Sequence, residues 1–403
     1  MTCKCTHVEG GVTAPLGFKA SGVVARIKYD RKDVALIASE VPAAAAGVFT
    51  TNKIKAAPVV LSADNLADGT AQAIVVNSGC ANACTGLEGM QAAKDMAYST
   101  ARNLGIKATD VIVASTGVIG QDLPMDRITR GITDACEVLS STGGQDAAEA
   151  IMTTDTVPKV TAVKFDLGGK AVTIGGMAKG SGMIQPNMAT MLAFLTTDAN
   201  IEPALLKSAL KYVADRTFNM VSVDGDTSTN DSLVILANGM AGSRRMERED
   251  SDFLLFRDAL MEVCTALARM IARDGEGATK LVEVRVQNAT SFEEAKKTAM
   301  SVANSNLVKT AIFGEDANWG RIICAVGYSG TDVNPDAIDI YLGDEKMAES
   351  GTGLAFSEER AKEILKKDEV IITIDLHMGY TSVTAWTCDF SYDYVKINAD
   401  YRT

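Results

Sequence analysis

The sequence predicts an α/β protein, and two observations carry that reading. Segments with helical spacing of apolar residues alternate along the chain with short apolar or alternating runs of strand type. The chain has 403 residues, 47% of them hydrophobic, so it can bury one large core or two ordinary ones.

Taken in order, Ala73-Ile74-Val75-Val76 reads as a buried strand. Thr85-Gly86-Leu87-Glu88 has capping-box spacing and opens a helix ending near Gly105. Val111-Ile112-Val113-Ala114 is a second strand, leading into Ser115-Thr116-Gly117. Residues 125–139 read as a helix with Ile128, Ile132, Cys136 and Leu139 on one face. Residues 160–174 read as a hairpin turning at Gly168-Gly169, where positive φ is needed. The glycine-rich stretch 175–182 reads as a turn, and an apolar segment follows at 191–195. Residues 253–272 form the clearest helix, with Phe256, Leu260, Val263, Leu267 and Met270 at helical spacing, and stop at Asp274-Gly275-Glu276-Gly277. Then come an alternating strand at 282–286, a capping box Ser291-Phe292-Glu293-Glu294 opening a helix to about Asn304, and strands at 337–342, 370–376 and 382–387. A domain boundary is expected near residue 280.

Net charge is −12 and no run of lysine or arginine stands out, which argues against nucleic acid or an anionic membrane as partner. The N-terminus lacks the apolar core of a signal peptide, and no apolar run reaches membrane-spanning length, so a soluble cytoplasmic protein is expected. The eight cysteines are scattered and read as reduced thiols. Cys3, Cys5 and His7, or Cys80 and Cys84, fall short of the four-ligand spacing of a zinc site, and no metal is expected. With only His7 and His377 in the chain, the general base is expected not to be histidine.

The stretch Lys179-Gly180-Ser181-Gly182 has lysine before glycine, the wrong order for a phosphate loop, so no nucleotide cofactor is expected. It leads to Thr190, which can be read as a hidden N-terminus. Breaking the Ala189-Thr190 bond would give Thr190 a free α-amine beside its own hydroxyl, a base next to its nucleophile. Ser115-Thr116-Gly117-Val118-Ile119-Gly120 could face backbone N–H groups and the Thr116 hydroxyl to a developing oxyanion, or simply end a strand. The polar, turn-rich stretch 224–231 reads as a loop.

Several of these stretches occur together in one family. Asn77-Ser78-Gly79-Cys80-Ala81-Asn82-Ala83-Cys84-Thr85-Gly86, the Ser115–Gly120 motif, the Lys179 to Leu192 stretch and Gly314-Glu315-Asp316-Ala317-Asn318-Trp319-Gly320-Arg321 resemble the ornithine acetyltransferases, also called glutamate N-acetyltransferases. The resemblance runs from Gly47-Val48-Phe49-Thr50-Thr51-Asn52 to the C-terminal Tyr394-Val395-Lys396-Ile397-Asn398-Ala399-Asp400-Tyr401. It implies a layered α/β sandwich with sheets packed between helices, of N-terminal-nucleophile type, over residues 1–280. A smaller α/β domain over 281–403 completes the chain.

The same resemblance implies self-cleavage between Ala189 and Thr190, giving chains of 189 and 214 residues that stay together. Thr190 would then carry acetyl from N-acetylornithine to glutamate, with Thr116 and Gly117 at the oxyanion. Substrate contacts fall on Thr153, Lys179, Thr190, Glu276, Asn398 and Thr403. The resemblance calls for no cofactor, leaves acetyl-CoA open as a second acetyl donor, and implies a heterotetramer of two processed protomers. The competing reading is an N-terminal-nucleophile amidase or aminopeptidase of related fold, with water in the place of glutamate.

Overall fold

The computed structural model describes residues 4–185 and 191–400; Ala189, Thr190 and Thr403 lie outside the described residues. Its strands are β1 (Thr6–His7), β2 (Phe18–Val23), β3 (Val34–Phe49), β4 (Thr70–Cys80), β5 (Val111–Val118), β6 (Lys159–Leu167), β7 (Lys170–Lys179), β8 (Leu192–Thr197) and β9 (Ser232–Ala237). After these come β10 (Leu281–Ala289), β11 (Asp339–Leu342), β12 (Glu345–Glu349), β13 (Thr352–Gly353), β14 (Glu369–Asp375) and β15 (Thr381–Cys388). Among the described residues they form two sheets. The first runs β1-β6-β7-β8-β9-β3-β4-β5, with β2 also on β3; the second runs β13-β12-β11-β14-β10-β15. The chain is thus α/β and layered.

The apolar run in β4 is continuous because both faces of the strand are covered. Ile74 and Val76 join a core under the helix Gly144–Ile151, while Ala73 and Val75 join another under the helices Gly86–Leu104 and Met125–Glu137. One face of β6 and β7 packs on the helix Ser251–Arg273, and the helix Pro203–Arg216 packs on β3 and on that longer helix. Asp250 caps the longer one by accepting from the Asp252 and Phe253 N–H groups. That helix lies between the sheets, and one apolar cluster joins Ile174 and Leu195 of the first sheet to Leu260, Val263 and Leu267 of the helix and to Val284 and Ile372 of the second sheet.

Alternation in β10 divides the second sheet's faces. Glu283 and Arg285 turn toward the long helix, where Glu283 pairs with Arg269 and accepts from Trp386 Nε1 at 3.1 Å. Val282, Val284 and Val286 are buried on the side covered by the helix Phe292–Ala303, whose N-cap is Ser291 accepting from Glu294 N–H. The expected N-cap forms here, while the Glu294 carboxylate accepts from the Thr290 hydroxyl.

Two local expectations change. Thr85 does not cap the helix after it: its hydroxyl donates to Asn82 Oδ1 at 2.7 Å instead, and the helix ends as expected at Gly105 with φ 70°. Gly175 and Gly176 are not in a turn but inside β7, paired to β6 on one side and β8 on the other. The reason is close packing. A Cβ at Gly175 would overlap the Gly11 carbonyl, and one at Gly176 would press on Leu195 at 2.6 Å and Leu267 at 2.9 Å. The hairpin turn itself sits where expected, at Gly168 and Gly169 with φ of 62° and 81°, between the paired Leu167 and Lys170. No helix of the described residues is long and apolar enough to cross a membrane.

Candidate functional site

The strand ends gather the chemistry. Parallel pairing sets Gly79 of β4 beside Gly117 of β5. Gly117 has φ 131°, and a Cβ there would overlap the Gly79 carbonyl, so only glycine lets the two backbones approach and the Thr116-Gly117 peptide turn as it does. β7 delivers Lys179 at its end, and Gly180, with φ 156°, begins the real turn. The segment after the helix Gly144–Ile151 brings Thr153, the stop of the long helix brings Glu276, and the helix Tyr392–Ala399 brings Asn398.

These six residues, Thr116, Gly117, Thr153, Lys179, Glu276 and Asn398, line one cavity of about 160 Å³. Gly182, Met191, Ser228, Asn230 and Asp231 complete most of its wall. Its size suits a small metabolite, not a drug-sized ligand. A larger cavity of about 1380 Å³ lies along the long helix, lined by Val157, Arg269, Arg273 and Lys396 among others, but it contains none of those six residues. Lys159 and Asp274 line the larger cavity and not the small one.

Inside the small cavity Lys179 Nζ donates to Thr153 Oγ1 at 2.8 Å and reaches Thr116 Oγ1 at 3.4 Å. Burial pushes its amine below the ordinary lysine range, opposed chiefly by Asp155, whose carboxylate is 3.9 Å away. In the same cavity Glu276 accepts from Asn398 Nδ2 at 2.9 Å, and its own N–H donates to the Ser181 carbonyl. The Glu276 carboxylate lies against Gly182, where any side chain would overlap it. The arrangement gathers a buried cation, the Thr116-Gly117 peptide and a carboxylate on the wall of one cavity. Such a cavity can hold an amino acid by both of its charged ends.

The residues that hold this arrangement were not singled out from the sequence. Asp155 is fully buried; burial alone would raise its pKa, but Lys179 and Lys159 outweigh that and keep the carboxyl well below the usual range. Asn230, read as loop, donates to the carbonyls of Ala81 at 2.5 Å and Ser115 at 2.8 Å, tying β9 to the Thr116 strand. Asp224, in the same stretch, accepts from the N–H groups of Met183 at 2.6 Å and Ile184 at 2.7 Å, and burial raises its pKa. Stretch 224–231 is therefore the support of the turn after β7. The one sequence signal was its density of Asp, Asn, Ser and Thr, which a solvated loop shares.

The comparisons with known proteins agree with this picture. The model of the ArgJ family matches residues 19–403. The arginine biosynthesis bifunctional protein ArgJ of Symbiobacterium thermophilum is 57% identical over 399 residues, covering 98% of this chain and 99% of that protein. Its counterpart in Geobacillus kaustophilus is 50% identical over 404 residues, covering 100% of this chain and 98% of that one. A crystal structure of the arginine biosynthesis bifunctional protein ArgJ from Bacillus halodurans matches with TM-score 0.51 and 50% identity, over 52% of this chain and 98% of the solved one. With the family matched over nearly its whole length and relatives at least half identical from end to end, this chain belongs to the ArgJ family.

Proposed function

We propose that the protein is a self-processing acetyltransferase of arginine biosynthesis, moving acetyl from N-acetylornithine to glutamate. The observation that carries this is the convergence of Thr116, Gly117, Thr153, Lys179, Glu276 and Asn398 on one amino-acid-sized cavity, with Met191, the residue after Thr190, in its wall. The half-length of the solved Bacillus halodurans chain supports the cut, since a piece of 214 residues out of 403 would be of that size.

In this reading the Thr190 hydroxyl attacks the Ala189 carbonyl, the peptide becomes an ester, and water releases the first chain. The new α-amine of Thr190 then takes the hydroxyl proton as Oγ attacks the acetyl carbon of N-acetylornithine. The Thr116 hydroxyl and the Gly117 N–H stabilise the oxyanion of the tetrahedral intermediate. Collapse returns the proton to the departing ornithine amine and leaves acetyl-threonine, which the glutamate amine attacks in turn. Lys179 holds the α-carboxylate and Glu276, steadied by Asn398, the distal ammonium of ornithine.

Thr403, the two domains 1–280 and 281–403, a heterotetramer of two processed protomers and a cytoplasmic location belong to the same proposal. So does acetyl-CoA as a second donor, which the bifunctional naming of the relatives supports.

The test supplies N-acetylornithine with and without glutamate. Ornithine release that depends on glutamate, with equal N-acetylglutamate formed, is expected; release indifferent to glutamate with free acetate would make the enzyme an amidase. Thr116→Ala is expected to lower kcat about 10²- to 10³-fold, the usual effect of losing one oxyanion donor. A single-turnover measurement of acetyl-enzyme formation checks it, and an unchanged rate would remove Thr116 from the oxyanion site.

A further inference from the structure

Behind the cavity four buried charges alternate in a row. Asp274 Oδ2 meets Lys159 Nζ at 2.6 Å, Lys159 Nζ meets Asp155 Oδ1 at 2.7 Å, and Asp155 Oδ2 faces Lys179 Nζ at 3.9 Å. Lys159 and Asp155 have fully buried side chains, and Lys179 is the only member that lines the small cavity. Asp155 also accepts from Gly180 N–H at 2.6 Å and from Thr153 N–H at 3.0 Å. One carboxylate thus fixes both backbone segments that carry the lysine and the threonine it bonds.

We infer that Asp155 is a positioning residue which keeps Lys179 charged and aimed at the cavity. This deepens the acetyltransferase reading, because it says how the site holds a cation for the substrate carboxylate. Geometry gives Asp155 this part. Lys179 is buried, its hydrogen bonds among the described residues go to the Thr153 and Thr116 hydroxyls, and Asp155 lies within ion-pair distance of it. Other charges facing Lys179 are Lys159 on β6, Asp231 before β9, Glu276 after the long helix and Lys28 on the loop after β2. Lys159 and Lys28 repel its proton, while Asp231 and Glu276 favour it. The Asp155 carboxylate also accepts from the N–H of Gly180, the residue after Lys179, and so is fixed to the turn that carries the lysine. Burial, which favours the neutral amine, is thereby countered at the place where the charge is used.

The test reads the Lys179 amine directly, by pH-dependent labelling with an amine-reactive reagent and peptide mass analysis of the purified protein, and needs no turnover. Asp155→Asn is expected to bring the onset of Lys179 labelling down by about one to two pH units, the usual effect of losing an opposite charge at this range. The alkaline limb of kcat/KM should move with it. Asp155→Glu, which keeps the charge, should leave the onset within about half a unit and supplies the test if the asparagine variant does not fold. An onset unmoved in Asp155→Asn, or moved as far in Asp155→Glu, would overturn the inference. An enzyme that labels as expected yet transfers no acetyl would instead sink the functional reading and leave this one standing.

Discussion

Replacing Thr190 by alanine is expected to leave one uncut chain of 403 residues on a denaturing gel, where the wild type gives pieces of 189 and 214. The variant loses the hydroxyl that begins the cut and carries the acetyl group, so transfer should fall by at least about 10⁴-fold, as when other enzymes lose a nucleophile. N-terminal sequencing of the larger wild-type piece, the one of 214 residues, should read Thr-Met-Leu-Ala-Phe. Transfer retained in the uncut variant would remove Thr190 from the mechanism, and with it the self-supplied base.

Lys159→Met is expected to destabilise the protein by about 3–5 kcal/mol at neutral pH. The amine sits between Asp155 and Asp274 with no exposure of its own, and methionine fills its volume while leaving two buried carboxylates without their shared cation. Denaturant unfolding of both proteins measures the loss. Its pH dependence has a definite sign. Asp155 has a native pKa below its unfolded value, so its contribution is fully present above about pH 4 and is lost as pH falls through the native value. Removing Lys159 raises that native value, so the variant should begin to lose stability at higher pH than the wild type. In strong acid, where Asp155 is protonated, the gap between the proteins should narrow. An equal gap at all pH values would mean that the methionine acts through packing alone.

Much of the architecture was legible because periodicity is local. The run at Ala73 to Val76, the Gly168-Gly169 turn and the Ser291 cap each state their geometry within a few residues. What local reading missed depends on partners far along the chain. Gly175 and Gly176 look like turn residues until Gly11 and Leu267 come near enough to forbid a side chain. Asn230 looks like loop until it bonds carbonyls 149 and 115 positions away. Among site residues, Thr116, Gly117, Thr153, Lys179, Glu276 and Asn398 were reached through the family resemblance, and they do line a common cavity. Asp155 stands two residues after Thr153, but its value comes from Lys159 four positions on and from Asp274, far along the chain, which Lys159 also pairs.

The strand order of the first sheet has a consequence for the history of the molecule. β8 and β9 stand between β7 and β3, six residue pairs holding β8 to β7 and six holding β9 to β3. Under the proposed cut, the second chain therefore keeps two strands wedged in the middle of a sheet whose flanks belong to the first. Such a protein assembles once, while its strands are still covalently neighbours. After unfolding, recovery becomes a meeting of two molecules, dependent on concentration and exposed to two unpaired sheet edges. Its durability in the cell is then set by how slowly it opens, since the instruction that first brought the strands together was the bond it has broken.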